Sequence, residues 1–291
     1  LFPPKHHARA LSIIDEVLSQ SPDNVACLMG RAYVLQAAKR WKDASSLFAK
    51  VESLLLDDLD TGLRAREENA WCLYQLEDFK MGLQGLQGVH ATLKTLDNRE
   101  LDTARCLWRL GKCYLDIGGA SYDILFPSPM TGCVAEDRRE EAYKYFISSL
   151  KFSTTYAPAF TSLGIYYSEY ASPPDLTRAS KCFQKAFELD PREAFAARKL
   201  AEGFAQDREW DLVEVVARRT IEGEGGIDAG IKEPAGEPAT RYLPTNAWAW
   251  KALGIVELVS TLLSHTRSSS SDLNQRTVGI THQPSEHSKS R

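Results

Sequence analysis

The side chains that could do chemistry in this 291-residue chain are scattered rather than assembled. His6 and His7 stand side by side, but no acidic or cysteine partner follows at metal-ligand spacing, so they read as a solvated pair. His90, His265, His282 and His287 are isolated. The six cysteines, Cys27, Cys72, Cys106, Cys113, Cys133 and Cys182, form no C-x-x-C pair and fall among apolar neighbours. They read as reduced, small core residues of an intracellular protein. The run GEGG at 223–226 follows a helix rather than a strand and has no lysine placed for phosphate, so it is not a phosphate loop. The carboxylate pairs Glu67-Glu68 and Glu140-Glu141 read as solvated helix faces. No P-loop, G-x-S-x-G or H-E-x-x-H motif occurs. The expectation is a non-enzyme with no metal, no cofactor and no small-molecule substrate.

What remains is binding, and the elements that would position it repeat along the chain. From Ala157 to Pro191, Leu163-Gly164 and Tyr167 mark one helix, and Ala179, Phe183, Ala186 and Pro191 mark a second. This is the tetratricopeptide (TPR) spacing of about 34 residues, in which a thin helical hairpin must stack on neighbours to bury both apolar faces. The same register recurs at 23–56 (Met29-Gly30, Tyr33, Ala44, Phe48, Val51) and at 63–96 (Ala70, Leu73, Gly82, Leu86, Val89). It continues at 104–156 (Leu110-Gly111, Tyr114, Ala142, Phe146, Ser149) and at 194–227 (Leu200-Ala201, Phe204, Val213, Ala217, Thr220). Glycines at 82, 85 and 88 weaken their helix by up to ~1 kcal/mol each, so that helix is expected to be irregular or held by its neighbours. The fourth repeat's second helix is placed at Arg139 to Phe152, after an insertion near 118–137 rich in Gly and Pro.

Residues 1–22 read as the second helix of an incomplete repeat, with Ala10, Ile14, Val17 and Pro22 in register. Residues 228–245 read as a flexible loop, 246–260 as the first helix of another incomplete repeat, and the serine-rich 261–291 as a disordered tail. The fold class is therefore all-α, a TPR α-solenoid winding as a right-handed superhelix. The two half repeats and the absence of a starting Met lead us to expect an interior piece of a longer array. The charge balance, 35 basic against 39 acidic residues, gives no sign of a dedicated nucleic-acid surface and leaves direct RNA binding open. No apolar run approaches the ~18 residues of a membrane span, so no membrane role is expected.

In TPR proteins the first helix of each repeat lines a concave face. The corresponding positions are Arg64, Trp71, Tyr74, Arg105, Trp108, Lys112, Arg198, Trp248 and Lys251. Aromatic and arginine side chains are favoured interface anchors, so a peptide or partner subunit would dock there. The alternative is that the tryptophans pack between repeats and the cations are merely solvated. No repeat carries cations at both positions of a chaperone-type carboxylate clamp, which argues against that ligand.

Beyond the repeat consensus, five segments resemble the fungal-like TPR scaffold subunit of the superkiller (Ski) complex. They are REENAWCLYQLEDF (66–79), YAPAFTSLGIYYSEY (156–170), ASKCFQKAFELDP (179–191), WDLVEVVARR (210–219) and NAWAWKALGIVEL (246–258). The resemblance implies a cytoplasmic, non-catalytic scaffold that holds a DExH-box RNA helicase and WD40-repeat subunits. Such an assembly feeds RNA to the exosome for 3′-to-5′ mRNA decay. After Leu258 the serine-rich tail departs from that family, whose members are expected to continue with further repeats. The competing reading is a TPR adaptor gripping a peptide in another pathway. An RNA-binding module or an enzyme is a third reading, with less in the sequence behind it.

Overall fold

A computed structural model describes residues 7–55, 58–117, 131–223 and 247–262, and among them every regular element is helical. The chain divides into two compact units, at Ala196/Ala197. The first holds α1 (His7–Gln20), α2 (Val25–Ala37), α3 (Trp41–Leu54), α4 (Thr61–Gln75) and α5 (Phe79–Leu93). It continues with α6 (Glu100–Ile117), α7 (Thr131–Phe152), α8 (Ala157–Ile165) and α9 (Leu176–Leu189). The second holds most of α10 (Ala194–Gln206), then α11 (Trp210–Gly223) and a helix, α12, over 247–262. The insertion residues 118–130, the whole of the loop at 228–245 and the tail beyond 262 lie outside the described residues.

Each hairpin follows from local chemistry. Asn24, Asp78 and Asp175 cap α2, α5 and α9 by accepting from Cys27 N, Met81 N and Arg178 N. First helices end in a shared turn: Lys39, Glu77 and Arg208 take positive φ of 59°, 65° and 61°. The following amides, Arg40 N, Asp78 N and Glu209 N, reach back to Leu35, Leu73 and Phe204 carbonyls at 2.9, 3.1 and 2.8 Å. That is a Schellman closure, made here without the usual glycine. α8 ends differently, in a π-helical turn over Tyr166–Tyr170. The longer Ser172–Asp175 turn follows it before α9 begins.

Packing obeys the repeat. In the first unit each first helix from α4 to α8 lies between the second helix before it and its own, as α6 does between α5 and α7. The small and aromatic register positions are the core: Ala44, Phe48 and Val51, like Ala142 and Phe146, are fully buried, and Ala179, Phe183 and Ala186 nearly so. The clusters straddle repeats, since Ala65 and Cys72 of α4 join the α2–α3 core and Leu163 of α8 joins the α6–α7 core. In the second unit Ala217 and Ile221 of α11 pack on Ala249 and Leu253 of α12.

One local expectation resolves to its second alternative, a helix held by its neighbours, and another is revised. The glycine-rich α5 is a regular helix: a Cβ at Gly82 would stand 2.8 Å from Tyr74 and one at Gly85 2.7 Å from Ala70 Cβ, so two of the three glycines permit close approach to α4. The helix placed at Arg139–Phe152 begins at Thr131 instead, so 131–137 are helical rather than part of the inserted loop. Ala135, Glu136 and Asp137 extend an already nucleated helix at little cost.

Candidate functional site

Three first helices bring the polar and aromatic residues of the first unit together. On α6, Arg105, Trp108, Arg109 and Lys112 recur at i, i+3, i+4 and i+7, which sets them on one face. α4 opposes them with Arg64, Glu67, Glu68 and Trp71.

The ionic contacts form a network between α4 and α6. Arg105 grips Glu67 with both ends of its fork, Nε to Oε1 at 3.0 Å and Nη2 to Oε2 at 2.6 Å, and reaches Asp102 Oδ1 at 2.8 Å. Arg109 donates Nη2 to Glu68 Oε2 at 2.8 Å and sets Nη1 3.1 Å from Glu67 Oε1. Its Nε has no hydrogen-bond partner, and its guanidinium lies over the Trp71 ring at 5.2 Å. Gln36 of α2 donates to Glu68 at 2.9 Å, so the network spans three repeats.

Glu67 and Glu68 are each only 2% exposed, which corrects their reading as a solvated pair. Glu140 is exposed and Glu141 partly so, as expected. The distinction lies in position. Glu67 and Glu68 face α6, where arginines arrive one repeat later. Burial alone would raise the Glu68 carboxyl. Arg109, hydrogen bonds from Gln36 and Arg109, and Arg64 together hold it below its ordinary value. Asp102 is likewise lowered: burial opposes, and Arg105, Arg64 and Arg99 outweigh it.

An aromatic ladder runs beside the charges. Trp71 stacks on Tyr74 with centroids 5.0 Å apart and meets Trp108 at 5.6 Å. Trp108 meets Tyr156 edge-on at 6.0 Å and donates its Nε1–H to Ser162 Oγ of α8 at 2.8 Å. The Tyr74 hydroxyl donates to Asp116. Thr161 of α8 donates to Glu193 at 2.9 Å.

Of the nine residues expected on a partner face, Arg64, Trp71, Tyr74, Arg105, Trp108 and Lys112 come together on α4 and α6. Tyr74 is 5% exposed, and Arg105 is largely enclosed by its carboxylates. Arg64, Trp71, Trp108 and Lys112 remain partly accessible. Arg198 on α10 is exposed and pairs with Glu202 at 2.8 Å. On α12 Trp248 is half-buried against the α11 contact and Lys251 is exposed. Sequence reasoning missed Glu67, Glu68 and Arg109. The signal that would have found them is opposite charge at inner-face positions one repeat apart.

A cleft of about 180 Å³ opens between the starts of α4 and α6 and the end of α5. Leu63, Val89 and Leu93 form its floor, and Arg64, Arg99 and Asp102 stand at its rim. No group of three or more His, Cys, Asp or Glu among the described residues is arranged to hold a metal. Burial pushes the thiols of Cys72 up to about 11 and of Cys113 to about 12, which favours their protonated form at neutral pH. No described helix is long and apolar enough to cross a membrane.

Comparison with known proteins gives two relatives. Superkiller protein 3 of Schizosaccharomyces pombe is 32% identical over 218 residues, covering 75% of this chain and 14% of that protein. Superkiller protein 3 of Saccharomyces cerevisiae is 30% identical over 260 residues, covering 88% of this chain and 16% of that protein. This chain thus spans well under a fifth of the length of either relative. No family model matches it. Solved structures align more loosely. YrrB, a TPR protein with an unusual peptide-binding site, is 19% identical at a TM-score of 0.38, over 67% of this chain and 84% of that one. The TPR2AB domain–pHSP90 complex of yeast Sti1 is 13% identical at a TM-score of 0.30, over 77% and 86%. The TPR solenoid rests on the helix pairing and register described above.

Proposed function

We infer, from a chain homologous to Superkiller protein 3 over 75% or more of its length, that it is a non-catalytic TPR scaffold of the Ski complex. Its role is to support cytoplasmic, exosome-linked 3′-to-5′ mRNA decay. The observation that carries this reading is the homology itself, which runs through repeat after repeat rather than through one motif. The physical organisation agrees with it. The arginines, carboxylates and tryptophans of α4 and α6 are spent largely on one another, joining successive hairpins into a stiff unit suited to holding other proteins.

The proposed partners are a DExH-box RNA helicase subunit and a WD40-repeat subunit, with the exosome reached through them. The accessible parts of the expected face, Arg64, Trp71, Trp108, Lys112, Arg198 and Lys251, are the proposed contact residues, with Tyr74, Arg105 and Trp248 bracing them. Affinity purification of the tagged protein from cells at mild salt tests this. Co-recovery of an RNA helicase and a WD40 protein is expected, and recovery of neither sinks the reading. A second reading, a TPR adaptor gripping a peptide, draws on the α4–α6 cleft, whose apolar floor and arginine rim suit a short peptide. It gains if purification yields a single partner whose binding is lost in Leu63→Glu.

A further inference from the structure

In the first unit the enclosed carboxylates of α4 and α6 are each met by arginine. Glu67 has Arg105 and Arg109, Glu68 has Arg109 and Arg64, and Asp102 has Arg105. Glu193, between α9 and α10, departs from that pattern. It is half-buried and makes no ion pair among the described residues. Arg192, its neighbour in sequence, turns to Asp190 instead, with Nε 3.4 Å from Oδ1. The Thr161 hydroxyl, donating at 2.9 Å, is the hydrogen-bond partner of Glu193. Burial raises the Glu193 carboxyl, the Thr161 bond opposes, and Asp190 adds to the rise.

Aromatic rings stand beside that carboxylate. Thr161 and Ser162 are consecutive on α8: the first holds Glu193, and the second accepts the Trp108 indole N–H at 2.8 Å. Trp108 in turn meets the Tyr156 ring edge-on at 6.0 Å. The Tyr156 hydroxyl makes no hydrogen bond among the described residues. Burial raises it, Arg109 and Arg105 oppose, and Glu67 and Glu193 add to the rise, so Glu193 lies within electrostatic reach of it. Trp108, Tyr156 and Glu193 are all partly accessible.

We propose that Glu193, Tyr156 and Trp108 form a seat for a lysine or arginine side chain of a partner polypeptide. The cation donates to the Glu193 carboxylate and the Tyr156 hydroxyl, and its stem and charge lie against the two rings. Charge complementarity selects a basic segment over an acidic one. The accessible cations of the same face are already met, Arg64 by Glu68 at 3.3 Å and Lys112 by Asp116 at 3.6 Å, whereas Glu193 is not. A half-buried carboxylate without a cation gains most from one that arrives, because burial has removed part of its solvent. This inference rests on the partner face proposed above, which contains Trp108, and adds the chemistry of what docks there.

The test probes an array of synthetic dodecapeptides of randomised sequence with the purified full chain. Bound peptides are expected to be enriched in Lys and Arg, and their signal should fall roughly tenfold in Glu193→Gln, the size of one lost charged hydrogen bond. Glu193→Gln keeps the side-chain size and an acceptor for Thr161, so its melting midpoint should match the parent's. Glu193→Lys should turn the preference toward Asp and Glu. Trp108→Leu, its folding checked by circular dichroism, separates the seat from the face it rests on. Binding that survives Trp108→Leu sinks the partner face and the seat together. Binding lost in Trp108→Leu but indifferent to Glu193→Gln overturns the seat alone. So do bound peptides without Lys and Arg enrichment, or an array with no bound peptide.

Discussion

α6 and α12 are close to the same sentence written twice, yet among the described residues one is sealed on both sides and the other on one. Both place leucine and glycine where a hairpin partner must come close. In α6 that partner, α7, delivers Phe146, while α5 and the Glu67–Glu68 pair occupy other faces. Among the described residues, α12 is packed by α11, through Ala217 and Ile221. A repeat consensus thus fixes what a helix can accept, whereas burial, and with it stability, depends on what arrives.

Breaking the sealed side gives the largest effects. Phe146→Ala removes a fully buried ring from Gly111 and is expected to destabilise the first unit by roughly 3–5 kcal/mol, measured by urea denaturation. It makes α6 resemble α12, and an unchanged midpoint would dissolve the comparison. Arg109→Leu leaves buried carboxylates short of a partner, at a comparable cost of roughly 3–5 kcal/mol. Much of that loss should return in the double variant Glu68→Leu/Arg109→Leu, because a well-packed apolar pair can replace a buried ion pair.

Glycine substitutions sharpen the same contrast at smaller size. Gly111→Val forces Cβ against Phe146 and is expected to cost about 1–3 kcal/mol by overpacking. Gly254→Val should change stability by less than ~0.5 kcal/mol, in keeping with an open surface site. Equal effects at the two positions would mean that the α12 face is covered.

Acid provides the mildest probe. Glu68 and Asp102 are held below their ordinary values of 4.5 and 3.8. Their contribution is complete above those values and is lost as pH falls through the lower folded-state ones. Glu193 runs the other way: burial raises it, so protonation on acidification from its raised value toward 4.5 favours the folded state. In Glu68→Gln the acid limb of a melting-temperature profile should flatten, while Glu193→Gln should leave that limb in place.

Much of the fold was legible because TPR packing is local and periodic. The positions of Ala44, Phe48, Ala142, Phe146, Ala179 and Phe183 follow from register alone, since a hairpin needs small residues where helices approach and, as at Gly111 and Gly164, a ring that fills the space over the facing glycine. The candidate site was legible in part. Arg105 and Trp108 were assigned to an inner face, but not the partners that restrain them. The helix start at Thr131 was hidden by flanking Gly and Pro, which obscure where an already favourable helical run begins.

The sequence by itself determined an array of helical pairs, the register of its cores and a family likeness carried by residues that packing does not require. Only the tertiary structure decided which polar groups are spent inside. Glu67 and Glu140 each begin a Glu-Glu pair on a helix, and no local rule separates them. Glu67 meets arginines from a helix one repeat away, which the chain must fold to deliver, whereas Glu140 meets water. Burial of charge depends on that distant partner, because only its opposite charge and hydrogen bonds offset the loss of solvent.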